Sequence, residues 1–184
     1  MRKIQSFDIS GITVDDVLNE FNERHAELGI TKKSDLISVS VRSATRLSKI
    51  AQSDGSTKAA NLASFYAGSC YMKMGDYANA VKYLKDFSTS VKQLQGRAYG
   101  LLGDAYSEQN KKEEAAEEYK KAGTFFEKDE LFSPEYLFRS GYLYESMGKT
   151  QDAIAMYQLL KDKYPSSQRG ADVDKYLARL GVTQ

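Results

Sequence analysis

Few residues of this chain have side chains suited to catalysis or metal binding. Among its 184 residues, His25 is the only histidine and Cys70 is the only cysteine. A zinc site needs more His and Cys ligands than these, and a Cys–His nucleophile pair would require the two residues to meet across separate segments. We therefore interpret Cys70 as a buried structural thiol and His25 as a surface residue.

Two further patterns look chemical but have simpler structural explanations. Glutamates lie at helical spacing beside lysines, which favours a solvated, ion-paired helix face over a metal site or an acidic docking patch. These glutamates are Glu113, Glu114, Glu117 and Glu118. Gly100 and Gly103 do not form a phosphate-binding loop, because no strand precedes them and no Lys-Ser/Thr pair follows. The sequence thus predicts no enzyme activity, no cofactor and no metal.

A pattern of glycine, tyrosine and alanine recurs three times and indicates the elements that build the chain. Its copies span residues 63–86, 99–121 and 137–161, and their aligned glycines are 35 and then 38 residues apart. The aligned residues are Gly68, Gly103 and Gly141; Tyr71, Tyr106 and Tyr144; Gly75, Asn110 and Gly148; Ala80, Ala115 and Ala153; and Leu84, Tyr119 and Tyr157.

Each recurring residue type has a structural reason. A glycine inside a helix costs roughly 1 kcal/mol relative to alanine, so its recurrence predicts that the backbone of another helix passes close by. The Gly or Asn that follows marks the end of the first helix, where a left-handed residue forms the C-cap. The alanines leave room for a second helix to cross. The sequence therefore predicts helix–turn–helix repeats of about 34 residues.

The repeated pattern resembles the tetratricopeptide repeat, whose signature is W-x2-L-G-x2-Y followed by A-x3-F, A and P. The Gly, Tyr and Ala positions match in all three copies, whereas the tryptophan position holds Ser64, Tyr99 and Leu137. The segment YPSSQRGADVDKYLARLG is similar to the C-terminal end of bacterial cell-envelope tetratricopeptide proteins, including translocon-associated and cell-division-associated members. The resemblance covers about residues 47–180.

We predict a mainly α-helical chain in two parts. Residues 44–184 form an array of three tetratricopeptide-type repeats with a C-terminal capping helix, and residues 1–43 form a small β-α-β unit. In that unit, residues 36–41 read LISVSV and alternate Ile37, Val39 and Val41 with serines, as a half-buried strand does. A first strand is predicted at residues 3–9, and a helix at residues 14–28.

The predicted strands also suggest self-association. Two strands alone are marginally stable in water, and an unprotected edge strand invites pairing. One solution is a homodimer in which Ile37, Val39 and Val41 pair with the same strand of a second chain. The other is docking onto the first repeat of the same chain, supported by Leu47 and Ile50.

The family resemblance implies a partner-binding groove at positions 2, 5, 9 and 12 of each first helix. The candidate groove residues are Leu62, Phe65, Ser69, Met72, Arg97, Asp104, Ser107, Phe138, Tyr142 and Glu145, with Gly100 and Glu135 at the remaining positions. Aromatic side chains and charges of both signs favour a peptide or helix with apolar anchors and a few charges. The alternative for Phe65 and Phe138 is packing against the end helices of the array itself.

The composition limits which classes of partner and which cellular compartment we expect. A net charge of +1 gives no general affinity for nucleic acid or membranes. No apolar run approaches the ~20 residues that span a bilayer, and the first ten residues lack the apolar core of a signal peptide. We expect a soluble protein, cytoplasmic, or periplasmic if an anchor or signal has been removed.

The predicted function is a non-enzymatic scaffold for protein–protein interaction that binds a peptide or helix in the groove. The alternative is that the N-terminal unit is a small ligand- or nucleic-acid-binding module displayed on a helical stem. Arg42, Arg46 and Lys49 are the basic cluster that this alternative would use.

Overall fold

The computed structural model of the chain describes residues 33–53 and 57–182, which form helices joined by turns, with no β-strand in these ranges. The helices are α1 Lys33–Ser53, α2 Lys58–Met74, α3 Tyr77–Asp86, α4 Lys92–Glu108, α5 Lys112–Phe125, α6 Ser133–Ser146, α7 Thr150–Lys163, α8 Gln168–Asp172 and α9 Asp174–Arg179. The chain divides into two compact units, Met1–Phe87 and Ser88–Gln184. The predicted domain boundary after residue 43 lies within the first unit.

The predicted strand at residues 36–41 is wrong, because these residues belong to α1. The buried positions of this helix recur at helical spacing and are Ser40, Ser43, Ala44, Leu47, Ser48 and Ile50. The alternation of LISVSV covers less than two helical turns, and the longer helical pattern that follows determines the structure. The β-α-β prediction therefore fails here, and its other parts, residues 3–9 and 14–28, lie outside the described residues.

The first unit is built around α2, which packs against α1 and α3. Apolar side chains of the three helices form its core: Ala44, Leu47, Ile50, Ala59, Ala63, Ala67, Cys70 and Tyr83. The rings of Tyr71 and Tyr83 stack with their centroids 5.4 Å apart. Gln52 of α1 donates a hydrogen bond of 2.6 Å to the Tyr83 hydroxyl, so α1 contributes polar as well as apolar contacts.

The second unit contains the helices α4 to α9. The helix α5 packs between α4 and α6, and α7 packs against α6. The main core cluster of this unit contains Ala116, Leu137, Phe138, Tyr144, Ala153, Met156, Tyr157, Leu160, Tyr164, Val173 and Leu177. Val173 and Leu177 come from the C-terminal segment, which therefore caps the last helix pair, as the sequence predicts.

The recurring glycines accommodate a large side chain rather than a second backbone. A Cβ atom added to Gly103 would lie 2.5 Å from the Tyr119 ring, and one added to Gly141 would lie 2.7 Å from the Tyr157 ring. At Gly68 the corresponding neighbour is the Leu84 side chain, at 2.5 Å. The predicted close approach is thus correct, but the group that approaches is the second recurring side chain of the second helix.

The predicted C-caps are confirmed in all three repeats. Gly75, Asn110 and Gly148 have φ angles of 76°, 57° and 73°, in the left-handed region. Glycine adopts this conformation without a Cβ penalty, and asparagine is among the few other residues that adopt it readily. Each cap ends the first helix of a repeat at the same register, which sets where the second helix begins.

The same substitution, glycine to alanine, should have opposite effects on the free energy of unfolding at two different sites. Gly148→Ala places a Cβ at positive φ and should lower the free energy of unfolding by about 1–2 kcal/mol. Gly96→Ala lies inside α4, where the added Cβ would be 3.8 Å from its nearest neighbour, the Ala122 carbonyl oxygen. It should raise the free energy by up to about 1 kcal/mol through helix propensity. Urea unfolding measures both, and changes of the same sign would contradict this explanation.

Candidate functional site

The predicted groove residues of the first unit lie on α2 and are largely involved in packing. Phe65 is 9% exposed, and its ring centroid lies 5.1 Å from that of Phe87. The Ser69 hydroxyl donates a hydrogen bond of 2.9 Å to the Phe65 carbonyl. Leu62 packs against the core, and Met72 is half-buried. These four positions therefore expose no aromatic ring to a ligand.

In the second unit, Phe138 is also a core residue. It is 8% exposed, and its ring lies 4.9 Å from that of Tyr176 in α9 and 6.0 Å from that of Tyr157. The Arg169 guanidinium lies over the same ring at 4.1 Å. Phe138 thus packs against the C-terminal cap, which is the alternative that the sequence left open.

Tyr142 is the exposed aromatic residue of the predicted groove. Its side chain is 52% exposed, and its ring stacks on Phe138 with a centroid distance of 6.3 Å and an interplanar angle of 23°. Because Phe138 is a core residue, Tyr142 stacks on a fixed neighbour while about half of its surface remains exposed.

Charged side chains connect α4 to α6, the helix that carries Tyr142. Asp104 accepts hydrogen bonds from the Tyr119 hydroxyl at 2.7 Å and from Nη1 of Arg139 at 2.8 Å. Arg139 also donates from Nε to Glu135 at 2.9 Å. Arg139 therefore bridges one carboxylate on each helix.

The same network continues from α6 to the C-terminal cap. Nε of Arg169 donates to Glu135 at 2.7 Å, and Nε of Arg179 lies 2.7 Å from Oε1 of Glu145. The Tyr157 hydroxyl donates to Oε2 of Glu145 at 3.0 Å. Partly exposed ion pairs contribute only about 0–1 kcal/mol each, so their clearest consequence is to fix the orientation of these side chains.

Burial and neighbouring charges together set the protonation of this network. Burial raises the pKa of Glu135, but hydrogen bonds from Arg169 and Arg139 outweigh it, and the net pKa lies below its ordinary value. Burial, with the charge of Asp104, raises the pKa of Tyr119. Burial, with the hydrogen bond to Glu145, raises the pKa of Tyr157. At neutral pH both tyrosines are donors and Glu135 is an acceptor.

We call this surface the unit 2 face and define it by Asp104, Glu135, Arg139, Tyr142, Glu145 and Arg179. Sequence reasoning identified its carboxylates and Tyr142 but missed its arginines. Asp104–Arg139 spans 35 residues and Glu145–Arg179 spans 34 residues. A search for opposite charges one repeat apart could have found these pairs, and the Glu135–Arg139 pair has the familiar i,i+4 spacing.

The two remaining groove candidates of the second unit lie on α4. Ser107 is exposed. Arg97 is exposed as well, and its guanidinium lies 4.0 Å from the centroid of the Phe132 ring. Among the described residues, no carboxylate forms an ion pair with Arg97, in contrast to Arg139, Arg169 and Arg179.

Cys70 has a structural role. Cys70 is fully buried, and burial raises its pKa to about 11, which keeps the thiol protonated. Across residues 33–53 and 57–182, no three His, Cys, Asp or Glu side chains are grouped to hold a metal ion. His25 lies outside the described residues.

The acidic run of α5 is ion-paired, with one buried member. Glu113 pairs with Lys149 at 3.2 Å, and Glu118 pairs with Lys121 at 2.7 Å. Glu118 is 9% exposed, although a solvated face was expected for the whole run. The pattern therefore predicted the Glu118–Lys121 pair correctly. It did not predict the burial of Glu118, the pairing of Glu113 with Lys149 of the next repeat, or the hydrogen bond that Glu117 accepts from Tyr144.

The residues predicted to mediate self-association do not form a strand edge. Val41 is 43% exposed on α1, and the side chains of Ile37 and Val39 lie outside the described part. Without a strand at residues 36–41, dimerisation by strand pairing has no basis here.

Comparison with known proteins identifies the repeats. Residues 67–130 match a family model described as tetratricopeptide repeat, and residues 135–167 match a second model with the same description. No match was found among curated proteins, so the similarity to cell-envelope members and the compartment stay predictions. None of the helices in the described ranges has the length and apolar character needed to cross a membrane.

Proposed function

Because this chain belongs to the tetratricopeptide repeat family, we propose that it is a non-enzymatic scaffold that binds a peptide or helix of a protein partner on the unit 2 face. Tetratricopeptide repeats generally mediate protein–protein interactions. The proposal adds which surface of this chain is used and which kind of segment it takes.

The exposure of the Tyr142 ring is the observation that supports the proposal. Exposed aromatic residues with few rotatable bonds are the commonest energetic anchors of protein interfaces. Tyr142 combines 52% exposure with a stacked, buried neighbour in Phe138. A partner that covers this ring gains apolar contact without having to order a mobile side chain.

The charges around Tyr142 favour a ligand with charges of its own. Arg139 and Arg179 keep 42% and 54% of their side-chain surface exposed while paired to carboxylates. A guanidinium has five N–H donors, more than these ion pairs use, so both arginines can still donate to a ligand. The ion pairs hold the donors in place, which fixes the register of a bound segment.

A random peptide library displayed on phage tests this proposal with the full chain. Selection should enrich peptides that bind the wild-type protein, and fluorescence anisotropy of the synthesised peptides gives their dissociation constants. Enriched peptides should share an apolar or aromatic residue, because Tyr142 offers an apolar contact.

Tyr142→Ala should weaken binding of these peptides by about 2 kcal/mol, roughly 30-fold, since it removes the central aromatic anchor. Phe125→Ala is the matched control, because Phe125 is an aromatic residue with 39% exposure outside the unit 2 face. The control should bind as the wild type does. Equal binding by wild type and Tyr142→Ala would show that the peptides bind elsewhere.

A further inference from the structure

The connection between α5 and α6 exposes a leucine to solvent. Residues 126–132 form this connection, which accounts for the longer spacing of the last two repeats. Leu131 within it is 75% exposed, more than any other exposed large hydrophobic residue in the described ranges. Covering a leucine removes its apolar surface from water, so this position favours a partner that packs on it.

Hydrogen bonds hold the connection in one conformation. Oδ1 of Asp129 accepts from the backbone N–H of Leu131 at 3.2 Å and of Phe132 at 2.9 Å. The Tyr164 hydroxyl donates to the carbonyl of Glu127 at 3.1 Å, and the Ser133 hydroxyl donates to the carbonyl of Phe126 at 3.2 Å. Leu131 is therefore presented on an ordered backbone, which lowers the entropic cost of binding.

Leu131 separates two clefts of the second unit. One cleft has a volume of about 400 Å³, and Arg97 and Phe132 are among the residues that line it. The other has a volume of about 320 Å³ and includes Glu135 and Arg169. Because Glu135 belongs to the unit 2 face, the connection extends that face rather than forming an isolated patch.

Arg97 gives the first cleft its chemical preference. The Arg97 guanidinium lies over the Phe132 ring at 4.0 Å from its centroid. No carboxylate in the described residues pairs with it, so its N–H donors are available to a ligand. A guanidinium held in this way suits bidentate hydrogen bonds to a carboxylate. The cleft lining also contains Lys128 and two carboxylates, Asp129 and Glu130. Oδ1 of Asp129 accepts hydrogen bonds from two backbone N–H groups, and neither carboxylate forms an ion pair with Arg97 in the described residues.

We infer that this connection is a subsite for a partner segment that carries an acidic side chain next to an apolar one. The acidic side chain binds Arg97, and the apolar side chain packs on Leu131 and Phe132. The inference rests on the proposed function and names the chemistry of the partner segment. It depends on residues of the longer connection, which the repeat signature does not include.

Peptides selected from the phage library test the inference with two variants of the full chain. Most enriched peptides should contain Asp or Glu within two residues of Leu, Ile, Met or Phe. Arg97→Gln should reduce their affinity roughly tenfold, and Arg97→Lys should restore part of it because the charge returns without the bidentate geometry. Replacing the peptide's acidic residue by its amide should have no further effect in Arg97→Gln.

Leu131→Ser tests the apolar contact, and Val91→Ser is its control because Val91 is 52% exposed outside the two clefts. Leu131→Ser should weaken binding roughly tenfold, and the control should leave it unchanged. Peptides that require Tyr142 but bind Arg97→Gln and Leu131→Ser normally would overturn this inference alone. A library without any binder would contradict both the inference and the proposed function.

Discussion

Gly103→Leu is expected to lower the free energy of unfolding by about 3 kcal/mol or more. The first carbon of the new side chain would lie 2.5 Å from the Tyr119 ring, well inside van der Waals contact. Tyr119 cannot move away easily, because it is 4% exposed and its hydroxyl is hydrogen-bonded to Asp104. Carbons inserted into a packed core typically lower the free energy of unfolding by about 1–3 kcal/mol. We expect a value at or above the upper end of this range, because the clash begins at Cβ.

Ser107→Leu is the control for this substitution, one helical turn further along α4. Ser107 is exposed, so the leucine enters solvent and the change should stay within about 0.5 kcal/mol. Urea unfolding followed by circular dichroism gives both values. Equal destabilisation by the two variants would mean that the buried and exposed faces of α4 are assigned incorrectly.

The repeats could be predicted from the sequence because their signals are local and recur. Gly75, Asn110 and Gly148 mark helix ends through backbone conformation alone, which depends on the residue itself. Ala80, Ala115 and Ala153 are fully buried, as expected where two helices cross. A single copy would be weak evidence, but three copies in register determine the helix pairs.

The strand prediction failed because a short alternation is ambiguous. In residues 36–41 the apolar residues alternate with serine, and serine is tolerated on either face of a helix. Ser40 is in fact buried and Val41 is 43% exposed, so the alternation in the supposed strand did not mark the solvent side. Only the continuation through Leu47 and Ile50 distinguishes the two periods.

Only part of the groove could be predicted, because the exposure of its residues depends on the rest of the fold. Phe138 has the same helical position in its repeat as Phe65 has in the first repeat, and its burial depends on Tyr176 in the C-terminal cap. Likewise, Asp104 and Glu145 were predicted as groove residues without ion-pair partners being named, but arginines about one repeat away pair with them. Contacts between neighbouring repeats therefore decide which groove residues remain available to a ligand.

Tyr157→Ala should be the most destabilising truncation in the second unit, at about 3–5 kcal/mol. The ring is fully buried, and its centroid lies 6.0 Å from that of Phe138 and 5.4 Å from that of Tyr176. The ring also covers Gly141, which has no side chain that could fill the space. A cavity that cannot collapse gives costs at the upper end of this range.

Tyr157→Phe distinguishes the contribution of the hydroxyl from that of the ring, since it removes only the 3.0 Å hydrogen bond to Glu145. It should lower the free energy of unfolding by about 1 kcal/mol, so most of the effect of Tyr157→Ala comes from lost packing.

A double-mutant cycle tests the contact between the ring and Gly141. Gly141→Ala should destabilise the wild type, because its Cβ would lie 2.7 Å from the Tyr157 ring, but should be neutral or stabilising in Tyr157→Ala. Additive effects in urea unfolding would show that the ring and the glycine do not pack against each other.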